Sequence, residues 1–323
     1  MTAPALSVVL ATRSGWAPVR RTVDCVAAQG VADRIELVLV TFGEPPRDEP
    51  PAALAQLAAH RAVPAPRAQS VAEANAAGVR AAAAPVVVFG EDHAYPEPGW
   101  AEALLARHEE PWAVVGPVVR NANPETAVSW SDFVLGYAPF AEGHPGGEVD
   151  IAPGHNSSYK REVLLREGDG LESALVAEWL LHGRLRAAGQ RVYLEPRAVI
   201  AHVNFGVAGA HAAAVYRGAR AGAAARAQSW AAPRRAAYAL GTPVLPPLRL
   251  ARLVRALPEE QRRQLPRGAL TVLVAALVVG AAGEAAGFAR SRSPVGSSAA
   301  AALLDLELER VRFAGAAAAR GRP

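Results

Sequence analysis

The sequence predicts an α/β fold in which a mostly parallel sheet is flanked by helices and followed by a helical C-terminal region. From the N-terminus to about residue 205, short apolar runs rich in β-branched residues alternate with helical segments, which is typical of such a sheet. Beyond residue 204 the composition shifts to Ala, Arg, Gly and Pro. We therefore expect a domain over residues 1–205 and a helical region over residues 206–323 that ends in a flexible tail.

Each predicted strand is a short apolar run, and the predicted helices lie between these runs. The predicted strands occupy residues 6–10, 35–40, 85–89, 112–115, 190–193 and 198–202. Helices are predicted to begin near residue 17 and to span residues 52–60, 71–84, 99–108, 171–188 and 211–230. Gly189 directly follows one of these helices and suits a left-handed C-terminal cap.

Composition and charge narrow the classes of function. The formal net charge of +4 fits phosphate-bearing substrates or an anionic membrane surface. It does not indicate nucleic acid, because no basic block is interleaved with aromatic residues. Cys25 is the only cysteine, which excludes an internal disulfide and a cysteine zinc cluster. Because the N-terminus shows no signal-peptide pattern, we expect a cytoplasmic protein.

An apolar run without charge covers residues 269–283 and ends at Glu284. It favours two interpretations about equally. One is a helix buried in a soluble protein, since a membrane span needs about 20 apolar residues. The other is a helix at the membrane surface, which would place the chain peripherally at the inner face of the cell membrane. A further helix is predicted around residues 303–313.

The first candidate site directly follows the predicted strand at residues 85–89, where Glu91, Asp92 and His93 are consecutive. Ligands of open α/β sheets bind beyond the carboxyl ends of the strands. Carboxylates hold hard divalent cations, and Mn²⁺ tolerates an imidazole ligand better than Mg²⁺ does. A solvated turn without a metal is an equally good explanation of this cluster.

Three more features could carry chemistry. Glu178 lies beside Trp179 and two leucines, where partial desolvation would raise its pKa toward that of a general base. Taken alone, an ordinary helix glutamate is the better explanation. The polar stretch at residues 153–159 suits contacts with a sugar or acceptor, or is a surface turn. His202 ends an apolar strand and would serve a metal only if it converged with Glu91 and His93.

Several other chemistries are poorly supported. The sequence has no Gly-x-x-x-x-Gly-Lys-Ser/Thr phosphate loop and no Gly-x-Ser-x-Gly nucleophile elbow. Residues 11–15 read Ala-Thr-Arg-Ser-Gly where a dinucleotide-binding strand would be followed by Gly-x-Gly-x-x-Gly. These absences weaken nucleotide-hydrolase, esterase and dehydrogenase interpretations.

Taken in order, these segments resemble family 2 glycosyltransferases over about residues 5–205. The segments that carry the resemblance are SVVLATR at 7–13, ELVLV at 36–40, ANAAGVRAA at 74–82, VVVFGEDH at 86–93, PEPGW at 96–100, GHNSSYKR at 154–161, the helix at 178–189, and His202. Three motifs depart from the family pattern. Glu91 and His93 stand where the family has Asp-x-Asp, Thr41 and Phe42 replace the aspartates after the second strand, and Ala177-Glu178 replaces Glu-Asp.

The resemblance implies a GT-A-type, Rossmann-like fold and inverting transfer from a nucleotide-diphosphate sugar to a hydroxyl of a glycan, lipid-linked or small-molecule acceptor. It also implies a divalent cation, Mn²⁺ or Mg²⁺, held by Glu91, His93 and His202, and Glu178 as the general base. The implied donor-binding residues are Ala11, Thr12, Arg13, Thr41, Asn75 and Asp92, and the implied acceptor-binding residues are Gly154, His155, Asn156 and Trp179. Two alternatives remain, a catalytically degraded binding or scaffold protein and a nucleotidyltransferase.

Overall fold

The computed structural model describes residues 3–13, 15–176, 178–227, 229–289, 308 and 310–315. The chain divides into two compact units. The first comprises Met1–Arg120 and Glu142–His202, and the second comprises Asn121–Ala141 and Val203–Pro323. This division falls close to the predicted boundary at residue 205, but it groups residues 121–141 with the C-terminal segment. The functional assignment of the two predicted regions stays a prediction.

The elements are numbered in chain order. The strands are β1 (Leu6–Thr12), β2 (Ile35–Thr41), β3 (Ala59–Pro64), β4 (Val86–Gly90), β5 (Ala94–Pro96), β6 (Val114–Asn121), β7 (Gly147–Glu148), β8 (Ser158–Lys160) and β9 (Val192–His202). The α-helices are α1 (Arg20–Ala27), α2 (Val71–Ala81), α3 (Trp100–His108), α4 (Ala127–Tyr137), α5 (Arg161–Leu165), α6 (Leu171–Leu175), α7 (Glu178–Ala187), α8 (Ala208–Arg226), α9 (Ala232–Gly241), α10 (Leu245–Ala256), α11 (Glu259–Arg263) and α12 (Ala269–Ala289).

One sheet organises the first unit, and its strand order is β3-β2-β1-β4-β8-β6-β9-β5, with β7 paired to β9. Strands β1 to β4 pair in parallel. Parallel pairing requires crossover connections, which α1 provides before β2 and α2 provides before β4. The pairs β4–β8, β6–β8, β5–β9 and β7–β9 are antiparallel. The predicted α/β fold is confirmed, and the sheet is mixed rather than mostly parallel.

Local sequence explains how α2 begins and why it approaches the sheet closely. The Ser70 hydroxyl accepts a hydrogen bond from the Glu73 amide at 3.2 Å, while the Glu73 carboxylate accepts one from the Gln69 amide at 2.7 Å. This pattern is close to a capping box: the Ser70 hydroxyl satisfies the Glu73 amide in the first turn, while the Glu73 side chain binds the amide one residue before the N-cap. A side chain at Gly78 would overlap Val9 of β1, so glycine permits the helix to pack directly on the strand.

Several predicted elements are wrong in extent. The predicted helix at 52–60 is a 3₁₀ turn at Ala52–Gln56 followed by β3, an edge strand that is too exposed to show an apolar run. The predicted helix at 171–188 is divided into α6 and α7, and the two late strands are one strand, β9. Strands β5, β7 and β8 and helix α4 were not predicted. Gly189 does adopt the left-handed conformation predicted for it, with φ of 80°.

The second unit is helical, and α12 packs against α4, α8, α9 and α10. This helix contains the predicted apolar run and extends it to 21 residues, long and apolar enough by length and composition to cross a membrane. A core helix of a soluble protein passes the same test, and 44% of the most apolar window is buried. Residues 303–307 and 309 of the predicted tail helix lie outside the described residues, while Arg310–Phe313 forms a 3₁₀ turn.

Candidate functional site

The carboxyl ends of the parallel strands bring the predicted site segments to one edge of the sheet. Thr12 at the end of β1 is in register with Thr41 at the end of β2, and Leu10 is in register with Gly90 of β4. The chain leaving β4 therefore begins beside the two threonines. This edge is the place where open α/β sheets bind ligands.

Glu91, His93 and His202 converge at this edge, and their ligand atoms all lie within 4.8 Å of one another. His93 Nε2 lies 3.5 Å from Glu91 Oε1, and His202 Nε2 lies 3.7 Å from Glu91 Oε2. The antiparallel pairing of β5 with β9 produces the convergence, because it places Ala94 opposite His202. His202 therefore lies close to Glu91 and His93, which is what a metal role of this residue requires.

Neighbouring groups hold Glu91 and His93 in place. Asp92 Oδ1 lies 2.7 Å from His93 Nδ1, so the other ring nitrogen of His93 is left to face Glu91. Asn156 Nδ2 donates to Glu91 Oε2 at 2.8 Å, and the Thr22 hydroxyl donates to the Glu91 carbonyl at 2.9 Å. A carboxylate that orients a metal-binding imidazole is the usual arrangement around a bound metal. One carboxylate and two imidazoles, braced in this way, fit a divalent transition-metal ion such as Mn²⁺.

The loop before β8 joins this cluster to the predicted base. Asn156 is buried, and its backbone adopts the left-handed conformation with φ of 69°. Its backbone N–H donates to the Phe89 carbonyl at 2.7 Å. Asparagine tolerates this conformation better than most residues. The same residue thus fixes the loop to the end of β4 and donates to Glu91. Its Oδ1 atom is buried and, among the described residues, has no hydrogen-bond partner.

Glu178 begins α7 and is buried against the same loop. A side chain at Gly154 would collide with the Glu178 carboxylate, and His155 Nδ1 lies 3.9 Å from Glu178 Oε1. Burial raises the pKa of Glu178, while the nearby His155 opposes that rise. Trp179 was expected to shield this carboxylate, but its side chain is 45% exposed. The close approach at Gly154 contributes to the burial instead.

Glu172, near the start of α6, is a second glutamate close to Glu178 in the sequence, and it has a structural partner. Arg80 donates to both of its oxygens, at 2.6 and 3.1 Å. This bidentate bond lowers the pKa of Glu172 and favours the ionised form. The two glutamates therefore differ, because an arginine holds Glu172 ionised whereas burial raises the pKa of Glu178.

The predicted donor-binding residues have four kinds of surroundings. Thr41 Oγ1 and Asn75 Oδ1 are buried and, in the part of the chain that the structure describes, have no hydrogen-bond partner, so a ligand could satisfy them. Thr12 donates to the Gly15 carbonyl at 3.1 Å, and Ala11 is buried beside it. Arg13 is exposed at the same edge. Asp92 is engaged with His93, so its observed contact is that of a metal-site support.

Two features of the site were missed by sequence reasoning. Asp48, from the proline-rich loop after β2, accepts the amides of Trp16 and Ala17 at 2.9 and 2.8 Å and so holds the loop after β1. Tyr159 and His182 form a buried hydrogen bond of 2.8 Å behind Glu178, and burial lowers the pKa of His182 to about 4. Neither contact has a sequence signal, because each joins residues that only the fold brings together.

Comparison with known proteins identifies the family of the domain that contains most of this site. The family model described as Glycosyl transferase family 2 matches residues 7–166, which include β1 to β8 and the Glu91–His93 segment. A solved structure described as a mycobacterial protein is 18% identical over 62% of this chain and 68% of that chain, with a TM-score of 0.41. No curated protein matches the chain. Residues 7–166 therefore form a domain of glycosyltransferase family 2.

Proposed function

We propose that this chain transfers a sugar, of hexose type, from a nucleotide-diphosphate sugar to a hydroxyl group with inversion at the anomeric carbon. One observation carries the proposal. A metal-ligand cluster and a buried carboxylate of raised pKa lie on the two sides of one loop. Asn156 contacts Glu91 on one side, and its neighbour His155 faces Glu178 on the other.

The cluster suits the leaving group. Glu91, His93 and His202 would hold the divalent cation, while Asp92 and Asn156 keep two of these ligands oriented. A bound cation neutralises the charge that develops on the departing nucleoside diphosphate. Thr41, at the same end of the sheet, and Asn75, on helix α2, have buried oxygen atoms that would bind the donor.

Glu178 is suited to take the proton from the acceptor hydroxyl. As the acceptor oxygen forms its bond to the anomeric carbon, the hydroxyl proton passes to the Glu178 carboxylate. The bond between that carbon and the diphosphate oxygen breaks, and the electron pair leaves with the nucleoside diphosphate. This single displacement inverts the configuration. The raised pKa of Glu178 brings the base closer to neutral pH, where proton transfer is more effective.

The acceptor would lie on the loop side of Glu178. His155 is partly exposed and Trp179 is half-exposed, so both are accessible to a sugar or another hydroxyl-bearing molecule. An indole ring supplies a flat apolar surface for such a contact. The acceptor class remains that implied by the resemblance: a glycan, a lipid-linked molecule or a small molecule.

Release of nucleoside diphosphate tests the proposal. The purified full chain should release it from at least one nucleotide-diphosphate sugar in a donor panel when Mn²⁺ and a mixture of hydroxyl acceptors are supplied. EDTA should abolish the release, and added Mn²⁺ should restore it. Glu172→Gln serves as the control carboxylate variant and should retain activity.

The altered Asp-x-Asp motif favours a second candidate, a glycosyltransferase-like binding protein that no longer catalyses transfer. Glu91 and His93 differ in charge and shape from two aspartates. Donor binding without nucleoside diphosphate release, across the whole panel and with Mn²⁺ present, would favour this candidate over the enzyme.

A further inference from the structure

The second unit contains two helices that lack a buried side. Helices α9 and α10 are described along their whole length, and no residue of either is fully buried. Large apolar side chains around the junction of the two helices are open to solvent. Leu240 near the end of α9 is 82% exposed, Val244 in the turn between the helices is 62% exposed, and Leu248 in the first turn of α10 is 63% exposed. Single exposed apolar residues are ordinary, but a continuous series indicates a surface that something else covers.

Helix α12, which packs against both α9 and α10, repeats this property on its own open side. Leu270, Val274 and Val278 recur every four residues and are 47%, 41% and 54% exposed. The exposed residues of this helix are Leu270, Thr271, Val274, Ala275, Val278, Ala282 and Ala289. None of them carries a charge, although a helix face that is exposed to water ordinarily carries charged side chains.

Charge on this unit has one sign over a long stretch. Residues 203–258 contain eight arginines and neither aspartate nor glutamate. Two of the arginines, Arg252 and Arg255, are exposed and follow Leu248 at spacings of four and three, so the three share one face of α10. We call Leu240, Val244, Leu248, Arg252 and Arg255 the basic apolar face.

An anionic lipid surface is complementary to both the arginines and the apolar side chains of this face. Its headgroups meet arginines, and its acyl boundary takes up apolar side chains that enter from the side. The opposite side of α12 argues against a helix surrounded by lipid. Buried Glu284 on α12 accepts from Arg249 at 2.9 Å, so this part of the helix is held inside the unit.

We propose that the basic apolar face binds the surface of an anionic lipid bilayer, with α10 lying in the plane of the interface. The inference does not depend on the proposed glycosyl transfer, because it uses only residues of the second unit. It would place the chain at a membrane as a peripheral protein.

Co-sedimentation of the full chain with lipid vesicles tests this inference. The wild-type chain should sediment with vesicles of phosphatidylcholine and phosphatidylglycerol and should stay in solution with phosphatidylcholine alone. Raising the salt from about 0.1 M to about 1 M shortens the screening length from about 10 Å to about 3 Å and should release the chain. Equal binding to both kinds of vesicle, or to neither, would overturn the proposal.

Two variants separate the charged and apolar contributions. Replacing Arg252 and Arg255 by Gln should lower the partition coefficient about 30-fold, at about fivefold for each arginine. Replacing Leu240, Val244 and Leu248 together by Gln should lower it at least about tenfold. Because all five side chains are exposed, neither change should alter the thermal unfolding midpoint, which is measured alongside.

Matched controls come from the first unit. Arg47→Gln with Arg67→Gln removes the same charge from two exposed positions, and Val176→Gln removes an apolar side chain that is 61% exposed. Both controls should sediment like wild type. If the controls lose binding equally, the effect is one of net charge or general stickiness and the face has no role. A triple variant that changes only the oligomeric state in sedimentation velocity would assign the face to a second copy of the chain instead.

Discussion

Two buried glutamates of the first unit differ sharply in what surrounds them. Glu36, on β2, is fully buried, and its Oε2 accepts from the Ser7 hydroxyl at 2.5 Å and the Ala83 amide at 2.7 Å. Its other oxygen lies 2.5 Å from the Arg61 guanidinium. Glu178 is nearly as buried, but its Oε1 has no hydrogen-bond donor among the described residues.

The two environments suit the same side chain to two different uses, one structural and one chemical. Burying a carboxylate costs free energy unless partners replace the lost water, and Glu36 has two hydrogen-bond donors on one oxygen and an ion pair with Arg61 on the other. Glu178 has fewer, so its ionised form is disfavoured and its pKa rises. A carboxylate kept in that condition can take a proton, whereas one with two donors and an arginine is suited to hold strands together.

The largest effect should come from Glu178→Gln. This change keeps the size of the side chain and removes its basicity, so turnover should fall about 100- to 10,000-fold. Donor binding, measured by calorimetry, should barely change, because the proposed base would face the acceptor and not the nucleotide. In the wild type, turnover should fall with decreasing pH through a pKa above the ordinary glutamate value of 4.5, since burial raises it. Near-normal turnover of the variant would show that Glu178 is not the base.

The next effect should come from Asn156→Gly, which removes the hydrogen bond to Glu91. Glycine tolerates the left-handed backbone at this position, so the loop should keep its course. Loss of a group that orients a metal ligand typically weakens metal binding about 10- to 100-fold. Fluorescence-monitored Mn²⁺ titration measures the change, and an unaltered affinity would mean that Asn156 does not support Glu91.

Glu36→Gln should act on stability alone. The change weakens the bonds to Ser7 and Arg61, and we expect a loss of about 1–3 kcal/mol in the free energy of unfolding. Arg61 is half-exposed, which keeps the loss below that of a fully buried ion pair. Urea unfolding measures it. Turnover per folded molecule should be normal, and a selective loss of activity would remove the distinction between the two glutamates.

Glu172→Gln should have the smallest effect. Its bidentate pair with Arg80 is substantially exposed, and such pairs contribute about 0–1 kcal/mol to stability. Turnover should stay within about twofold of wild type. A loss comparable to that of Glu178→Gln would mean that the two carboxylates were assigned the wrong way round.

Much of the site could be named from the sequence, but its geometry could not. The metal candidates Glu91 and His93 follow a strand whose apolar run is unmistakable, whereas His202 joins them only through β5, a three-residue strand without a periodic signal. Glu178 was selected because it falls on the base position of the family it resembles, and Trp179 was expected to shield it. The close contact in the structure is instead with Gly154, 24 positions earlier in the chain. Asn156 was expected to contact the acceptor and instead donates to Glu91.

The same limit applies to the fold. Strands β1, β2 and β4 are buried on both faces and were predicted because their runs are apolar except at Ser7 and Glu36. Strand β3 lies at the edge, and its side chains are largely exposed, so its pairing with β2 decides its conformation. Sequence patterns report burial, and they fail where pairing or a tertiary contact determines the structure.

Mn²⁺ binding to the full-length chain, followed by electron paramagnetic resonance, tests most directly the claim that the carboxyl edge of the sheet holds a metal beside Glu178. The wild type should bind one ion, and His202→Ala should bind it at least about 100-fold more weakly, because one of three protein ligands is lost. Glu36→Gln should bind like wild type, since its carboxylate serves the strands. A wild type that binds no Mn²⁺, or a His202→Ala variant with unchanged affinity, would contradict the account.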